Sequence, residues 1–188
     1  MVTNLAGLDR RSFISNSLLA IGAAGAAFPG WAGVEAAARG RAPFFDARRS
    51  AILDAAAETI MPRTDTPGAR DAGVPQRFDL LMKVWASPQT QADFSRVLDE
   101  LDAAARPSNP KGLAALAPAK QLEVVAAYDR AKMADPAYRK FKALILSLYY
   151  ISEPGATKEL RYEHVPGAWE PSFPVTAETR GWTIDASP

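Results

Sequence analysis

The sequence predicts an all-α fold: a single-domain bundle of about five helices with a loop-rich C-terminal tail. Three observations carry this. Between Asp46 and Tyr150 large apolar residues recur at i, i+3, i+4 and i+7, the spacing that places them on one face of a helix. The segments so marked are punctuated by prolines at helix-start positions and by polar turn clusters. No segment alternates apolar and polar residues as a half-buried strand does, no β-branched run reaches strand length, and no internal repeat is found.

Asp46 is placed to cap a first helix through Ile52, Leu53, Ala56, Ala57 and Ile60, which Pro62 stops. Pro75 opens a second helix with the stripe Phe78, Leu81, Met82 and Trp85, leaving Asp79 and Lys83 on the outer face. Ser87-Pro88 opens a third, with Phe94, Val97, Leu98 and Leu101 inward, ending near Arg106-Pro107. After the turn cluster Ser108-Asn109-Pro110-Lys111-Gly112, Pro118 opens a fourth helix carrying Leu122, Val125, Ala126 and Met133. Asp135-Pro136 opens the fifth, Ala137 to Tyr150. Its stripe Phe141, Leu144, Ile145 and Leu148 is broadened by Tyr138, Leu146 and Tyr149, so it is expected at the centre of the bundle.

The connection from Ile60 to Asp79 is unusual: I-M-P-R-T-D-T-P-G-A-R-D-A-G-V-P-Q-R-F-D holds three prolines and two glycines. Thr66-Pro67-Gly68-Ala69 reads as a turn in which Gly68 can adopt positive φ. Such a stiff loop is either a rigid helix-to-helix turn or a surface kept for a partner, and the pattern admits both.

Residues 1–38 read as an export address and 39–188 as the helical domain. Arg10-Arg11 with Phe13 two positions beyond, then a modest apolar run from Leu18 to Phe28, looks like a twin-arginine signal, although Asp9 and Ser15 depart from the commonest flanking residues. The run is too short to span a bilayer, which takes about 20 apolar residues. Gly30-Trp31-Ala32 and Ala36-Ala37-Ala38 both suit cleavage, and an uncleaved signal acting as a membrane tether is the third option. In each case the chain is expected in the periplasm, exported already folded.

Composition limits the chemistry. Twenty-two basic residues balance 21 acidic ones, without a basic stripe interleaved with aromatics, so no nucleic-acid partner is expected. Cysteine is absent and His164 is the single histidine. Disulfides, iron–sulfur clusters, c-type haem and histidine-rich zinc sites therefore lack their usual ligands. No cofactor is expected on this chain, yet the twin-arginine route is associated with folded cofactor proteins. The mismatch points to a partner. An enzyme built on His164 with Glu153, Glu159 and Glu163 lacks a nucleophile elbow, and a free-standing periplasmic helical binding module lacks a ligand motif.

Three stretches then add up to a resemblance. The signal, the helix ending in I-M-P-R-T-D-T-P-G-A, and the aromatic helix ending Y-Y-I-S-E-P-G-A-T-K-E-L with V-P-G-A-W beyond it resemble the gluconate 2-dehydrogenase subunit 3 family, in an order and spacing that cover essentially the whole mature chain. The resemblance implies a small non-catalytic subunit whose large partner is an FAD flavoprotein of the glucose-methanol-choline type, commonly joined by a multihaem cytochrome c. It also implies that the flavoprotein is carried out folded on this chain's signal, with membrane association through the complex or the uncleaved signal. The partner's substrate stays open between gluconate, another sugar or polyol, and the hydroxyl of a glycoside. Two proline- and glycine-rich segments are the expected partner interface: Pro62, Asp65, Thr66, Pro67 and Gly68 in the first, and Glu153, Pro154, Gly155, Arg161, Tyr162 and Trp169 in the second.

Overall fold

The computed structural model describes residues 42–162, 172, 174–176 and 179–183, and the helical unit is built from these. Among the described residues five α-helices follow one another: α1 Ala47–Ile60, α2 Val74–Val84, α3 Pro88–Ala105, α4 Pro118–Lys132 and α5 Pro136–Tyr150. A 3-10 turn, Leu113–Ala115, precedes α4; a π turn, Gly155–Glu159, follows α5. Strands β1 Arg161–Tyr162 and β2 Trp182–Thr183 form a two-residue parallel pair. No helix among the described residues is long and apolar enough to cross a membrane.

Three of these starts carry a side-chain cap, two of them, Asp46 and Ser87, expected from the sequence. Asp46 accepts the Arg49 amide, Ser87 that of Thr90, and Asp135 that of Ala137, each satisfying an amide the first turn leaves without a partner. The chain entering α1 is clamped as well. Phe44 and Phe45 donate their amides to the two carboxylate oxygens of Asp79 at 3.0 and 2.8 Å, and Lys83 reaches the Ala42 carbonyl. Asp79 and Lys83, expected on an outer face, hold the segment that begins the domain.

α3 packs against α1, α4 and α5, while α5 packs on α2 and α3 and touches α1. At the centre Phe78, Phe94 and Phe141, one from each of α2, α3 and α5, meet with ring centroids 5.2 to 5.7 Å apart at tilted to edge-on angles, and Phe45 adds a fourth ring to Phe78. Offset and edge-on contacts are the favourable ones for rings that carry a negative face and a positive edge.

Four expectations are corrected. Trp85 is 74% exposed rather than in the core. α2 ends at Val84 and Trp85 takes non-helical φ −130, ψ −36, so the helical phase that would turn it inward has already been lost. On α4 only Val125 of the expected stripe is buried; Leu122 and Met133 are exposed. The inward face is instead Gln121, Val125, Tyr128 and Lys132, because the helix is rotated by polar contacts. Gln121 donates to the Leu113 carbonyl, and both the Tyr128 hydroxyl and Lys132 reach Glu100. α5 is one-sided rather than enclosed: Tyr138, Phe141, Ile145, Leu148 and Tyr149 are buried while Arg139, Lys140, Ala143 and Ser147 face solvent. Gly68 has no positive φ; that conformation falls to Gly73, which caps α2, and to Gly112.

Gly112 leads to a residue that periodicity did not flag. Asp102 is only 4% exposed, on the inner face of α3, and accepts the Leu113 amide at 3.0 Å, Arg48 at 2.7 Å and Arg106 at 3.3 Å. A side chain at Gly112 would overlap its carboxylate. Burial opposes the charge of Asp102, but Arg48 and the Leu113 amide prevail and its pKa is lowered. One carboxylate thus joins α1, α3 and the 3-10 turn. Asp102→Ala strips the Leu113 amide and Arg48 of their shared acceptor, and is expected to cost about 2 kcal/mol, the scale for leaving buried polar groups unpaired. Urea melts check this, and Asp102→Asn, which keeps an acceptor, recovers part of the loss.

Glu100 predicts the acid behaviour. Burial works against its charge, yet hydrogen bonds from Lys132, Arg96 and Tyr128 outweigh it and hold the carboxyl at about 2. A carboxyl depressed in the folded state adds stability that is present above its unfolded pKa of about 4.3 and is lost as pH falls toward the folded value. The stability gap between the wild-type chain and Glu100→Gln is therefore expected to be full at pH 7 and to close progressively below about pH 4.3. Urea melts of both chains at descending pH read it, and a pH-independent gap contradicts it.

Candidate functional site

The connection between α1 and α2 is a closed loop. The Ala69 amide donates to the Met61 carbonyl at 2.8 Å, which brings the two ends of the loop together. Glu58, in the last turn of α1, accepts the amides of Arg63 at 3.3 Å and Arg70 at 2.8 Å, so one carboxylate fastens both sides. Gly68 lies against that carboxylate: a Cβ there would stand 2.5 Å from Glu58 Oε1 and 2.6 Å from the Arg63 nitrogen. The glycine is needed for close approach, where the sequence suggested backbone handedness. The loop's cations turn back onto acids nearby, Arg70 onto Asp54 through two nitrogens and Arg63 onto Asp71. Asp71 is held below the usual carboxylate range by the Arg63 hydrogen bond.

The segment after α5 is organised by Ser152, which is 1% exposed. Its hydroxyl donates to the Tyr149 carbonyl at 2.5 Å and accepts the Gly155 amide at 3.2 Å, ending one helix and starting the next turn. Its carbonyl accepts the Ala156 amide at 2.8 Å. Any side chain at Gly155 would overlap the Tyr149 carbonyl, so the turn can fold tightly against the end of α5 only with glycine there. Leu160 donates its amide to the Gly155 carbonyl at 2.9 Å, closing the wide π turn. The chain then enters β1, where the Arg161 amide donates to the Gly181 carbonyl at 2.8 Å.

These two segments, far apart in sequence, form one surface. The Tyr149 hydroxyl donates to the Pro67 carbonyl at 2.7 Å, the Thr66 hydroxyl to Glu159 at 2.5 Å, and Arg180 lies 3.6 Å from Asp65. Tyr149 is buried and its pKa is raised by that burial, so it stays a neutral donor.

Within this surface the residues divide by exposure. Pro62, Asp65, Glu153 and Arg161 are exposed; Pro67 and Pro154 are half-buried. Thr66, Gly68 and Gly155 are buried and shape the surface from beneath. Tyr162 contributes its backbone to β1. Arg10, Arg11, Phe13, Glu163, His164 and Trp169 lie outside the described residues. Glu58, Tyr149, Ser152, Arg180 and Trp182 were not singled out as site residues by sequence reasoning. Only Ser152 left a signal, a serine three residues before a glycine just beyond a helix, the pattern of a hydroxyl that caps a turn. No group of three or more metal-ligating side chains is found among the described residues.

The arrangement presents charged side chains on a braced loop and an arginine and a tryptophan on a strand pair. Comparison with known proteins agrees with the earlier resemblance. The family described as gluconate 2-dehydrogenase subunit 3 matches residues 47–167, from the first residue of α1 past the π turn and β1. No curated protein and no solved structure matches the chain. The matched region takes in all five helices and both segments of the braced surface, and the chain belongs to the gluconate 2-dehydrogenase subunit 3 family.

Proposed function

We propose that this chain is the non-catalytic small subunit of a membrane-associated periplasmic dehydrogenase complex, in which an FAD flavoprotein of the glucose-methanol-choline type oxidises a sugar, a sugar acid or a glycoside. The small subunit carries the flavoprotein out of the cytoplasm by the twin-arginine route and stabilises it; a cytochrome c subunit takes the electrons onward. The observation that carries this reading is the family match over residues 47–167. A chain with one histidine and no cysteine has few of the groups that redox or nucleophilic chemistry uses, which favours an accessory role over a catalytic one. The Arg10-Arg11 pair followed by Phe13 supports export of a folded assembly.

The partner meets the braced surface, through Pro62, Asp65 and Pro67 on the loop and Glu153, Pro154, Arg161, Tyr162 and Trp169 on the C-terminal segment, with Thr66, Gly68 and Gly155 holding the backbone in place. Segments already fixed by hydrogen bonds and proline lose little conformational entropy on docking. A stable complex of this kind buries at least about 1,200 Å² in total.

Export supplies the test. Replacing Arg10 and Arg11 together by Lys is expected to strand both this chain and its flavoprotein in the cytoplasm, because one signal serves two polypeptides. Cell fractionation with flavin-linked dehydrogenase assays reads the result. Undiminished periplasmic dehydrogenase activity in the double-Lys strain contradicts the proposal.

A further inference from the structure

Arg161 and Trp182 open the two short strands, and the parallel register sets them side by side. The guanidinium carbon stands 4.2 Å from the centre of the indole ring. The contact is held from both sides, since β1 and β2 are paired and the chain just before Trp182 is tied to the loop by Arg180 and Asp65. Even so the ring is 45% exposed, and Arg161 is exposed with it. A cation stacked on an aromatic face in water is weak; the same pair strengthens when a partner removes the water around it.

Further exposed side chains lie on the elements that lead into β1. Ile151, 57% exposed, and Tyr150 end α5, which runs into the π turn, and the π turn packs on β1. On that turn Lys158 is exposed, and among the described residues neither Lys158 nor Arg161 meets a carboxylate. The nearby acids Glu159 and Asp65 are already engaged by Thr66 and Arg180, leaving Glu153 as the exposed acid at the start of the turn. Formal charges in these surroundings balance, three cations against three carboxylates, but Arg161 presents its exposed guanidinium beside an exposed indole with no carboxylate partner among the described residues.

We infer that the Arg161–Trp182 pair is the anchor by which this subunit docks on its flavoprotein, against an apolar shelf on that partner bordered by an Asp or Glu that takes the open edge of the guanidinium. Tryptophan and arginine carry interface energy out of proportion to their number, because each combines large apolar contact with a directed polar group. Here the two are ordered before binding, so docking immobilises little that is not already fixed. The inference rests on the subunit reading above and names within it a residue, Trp182, that lies outside the family-matched stretch of 47–167.

The test uses the flavoprotein recovered with the tagged full chain from its native host, separated from it and titrated against variants. Trp182→Ala and Arg161→Glu are each expected to weaken binding by about 10-fold or more, and Trp182→Phe by less. The melting temperature of the isolated chain should stay within about 2 °C of wild type. If Trp182→Ala also lowers the melting temperature, Arg161→Glu decides, since reversing an exposed charge leaves the packing intact. Unchanged affinity in Arg161→Glu overturns the inference while leaving the subunit reading standing. So does a Trp182→Ala chain that keeps its flavoprotein but no longer sediments with phosphatidylethanolamine–phosphatidylglycerol vesicles, which would assign the patch to the membrane. A wild-type chain that recovers no flavoprotein at all contradicts the subunit reading, and the anchor with it.

Discussion

A threonine hydroxyl turned inward from the loop, donating to a carboxylate 93 residues further along the chain, is the contact on which the braced surface depends. Thr66 is buried and its partner Glu159 ends the π turn, so the bond joins two segments that neither the loop nor the turn could position alone. A hydrogen bond to a charged acceptor, partly shielded from water, is stronger than one between neutral groups. The Tyr149 hydroxyl on the Pro67 carbonyl braces the same junction from the end of α5. The loop is in turn closed by Glu58, and the π turn is seated by Ser152 and by the missing side chain of Gly155. Remove the junction and each segment keeps its local form but loses its fixed relation to the other.

This arrangement explains why a stretch so rich in proline and glycine belongs to a helical domain. The helices supply a rigid base through the Phe78, Phe94 and Phe141 cluster, and Asp102 ties α1, α3 and the 3-10 turn beneath it. The irregular segments then carry backbone amides and carbonyls that a helix would have satisfied internally. Those named here are taken partly by side chains, Glu58, Tyr149 and Ser152 among them, and partly by other backbone groups of the same segments, and a buried loop is tolerated only on those terms. The S-E-P-G-A-T-K-E-L stretch therefore reads as a structural requirement: it holds a cap, a close-approach glycine and the carboxylate that receives Thr66.

Much of this was legible beforehand. Caps at Asp46 and Ser87 and prolines at helix starts are local signals, and both caps formed as read. The two irregular segments were recognised as special from composition alone, although nothing in composition could say that they meet. What failed was phase and long-range polar contact. Trp85 was counted one residue past the end of its helix, and α4 was turned by Tyr128 and Lys132 seeking Glu100, contacts invisible to a count of apolar residues. Gly68 was noticed for its handedness when its use is to let Glu58 approach. Trp182 lay beyond the last periodic segment, where sequence pattern has no purchase.

The central claim is that the loop and the C-terminal segment are one surface, coupled through Thr66 and Glu159. A double-mutant cycle between Thr66→Val and Glu159→Gln, read by urea unfolding of the isolated chain at pH 7, tests it most directly. The account predicts a coupling of about 1.5 to 3 kcal/mol, the net worth of a hydrogen bond to a charged group. Losses that simply add, to within about 0.5 kcal/mol, would mean that the two segments lie side by side without holding each other.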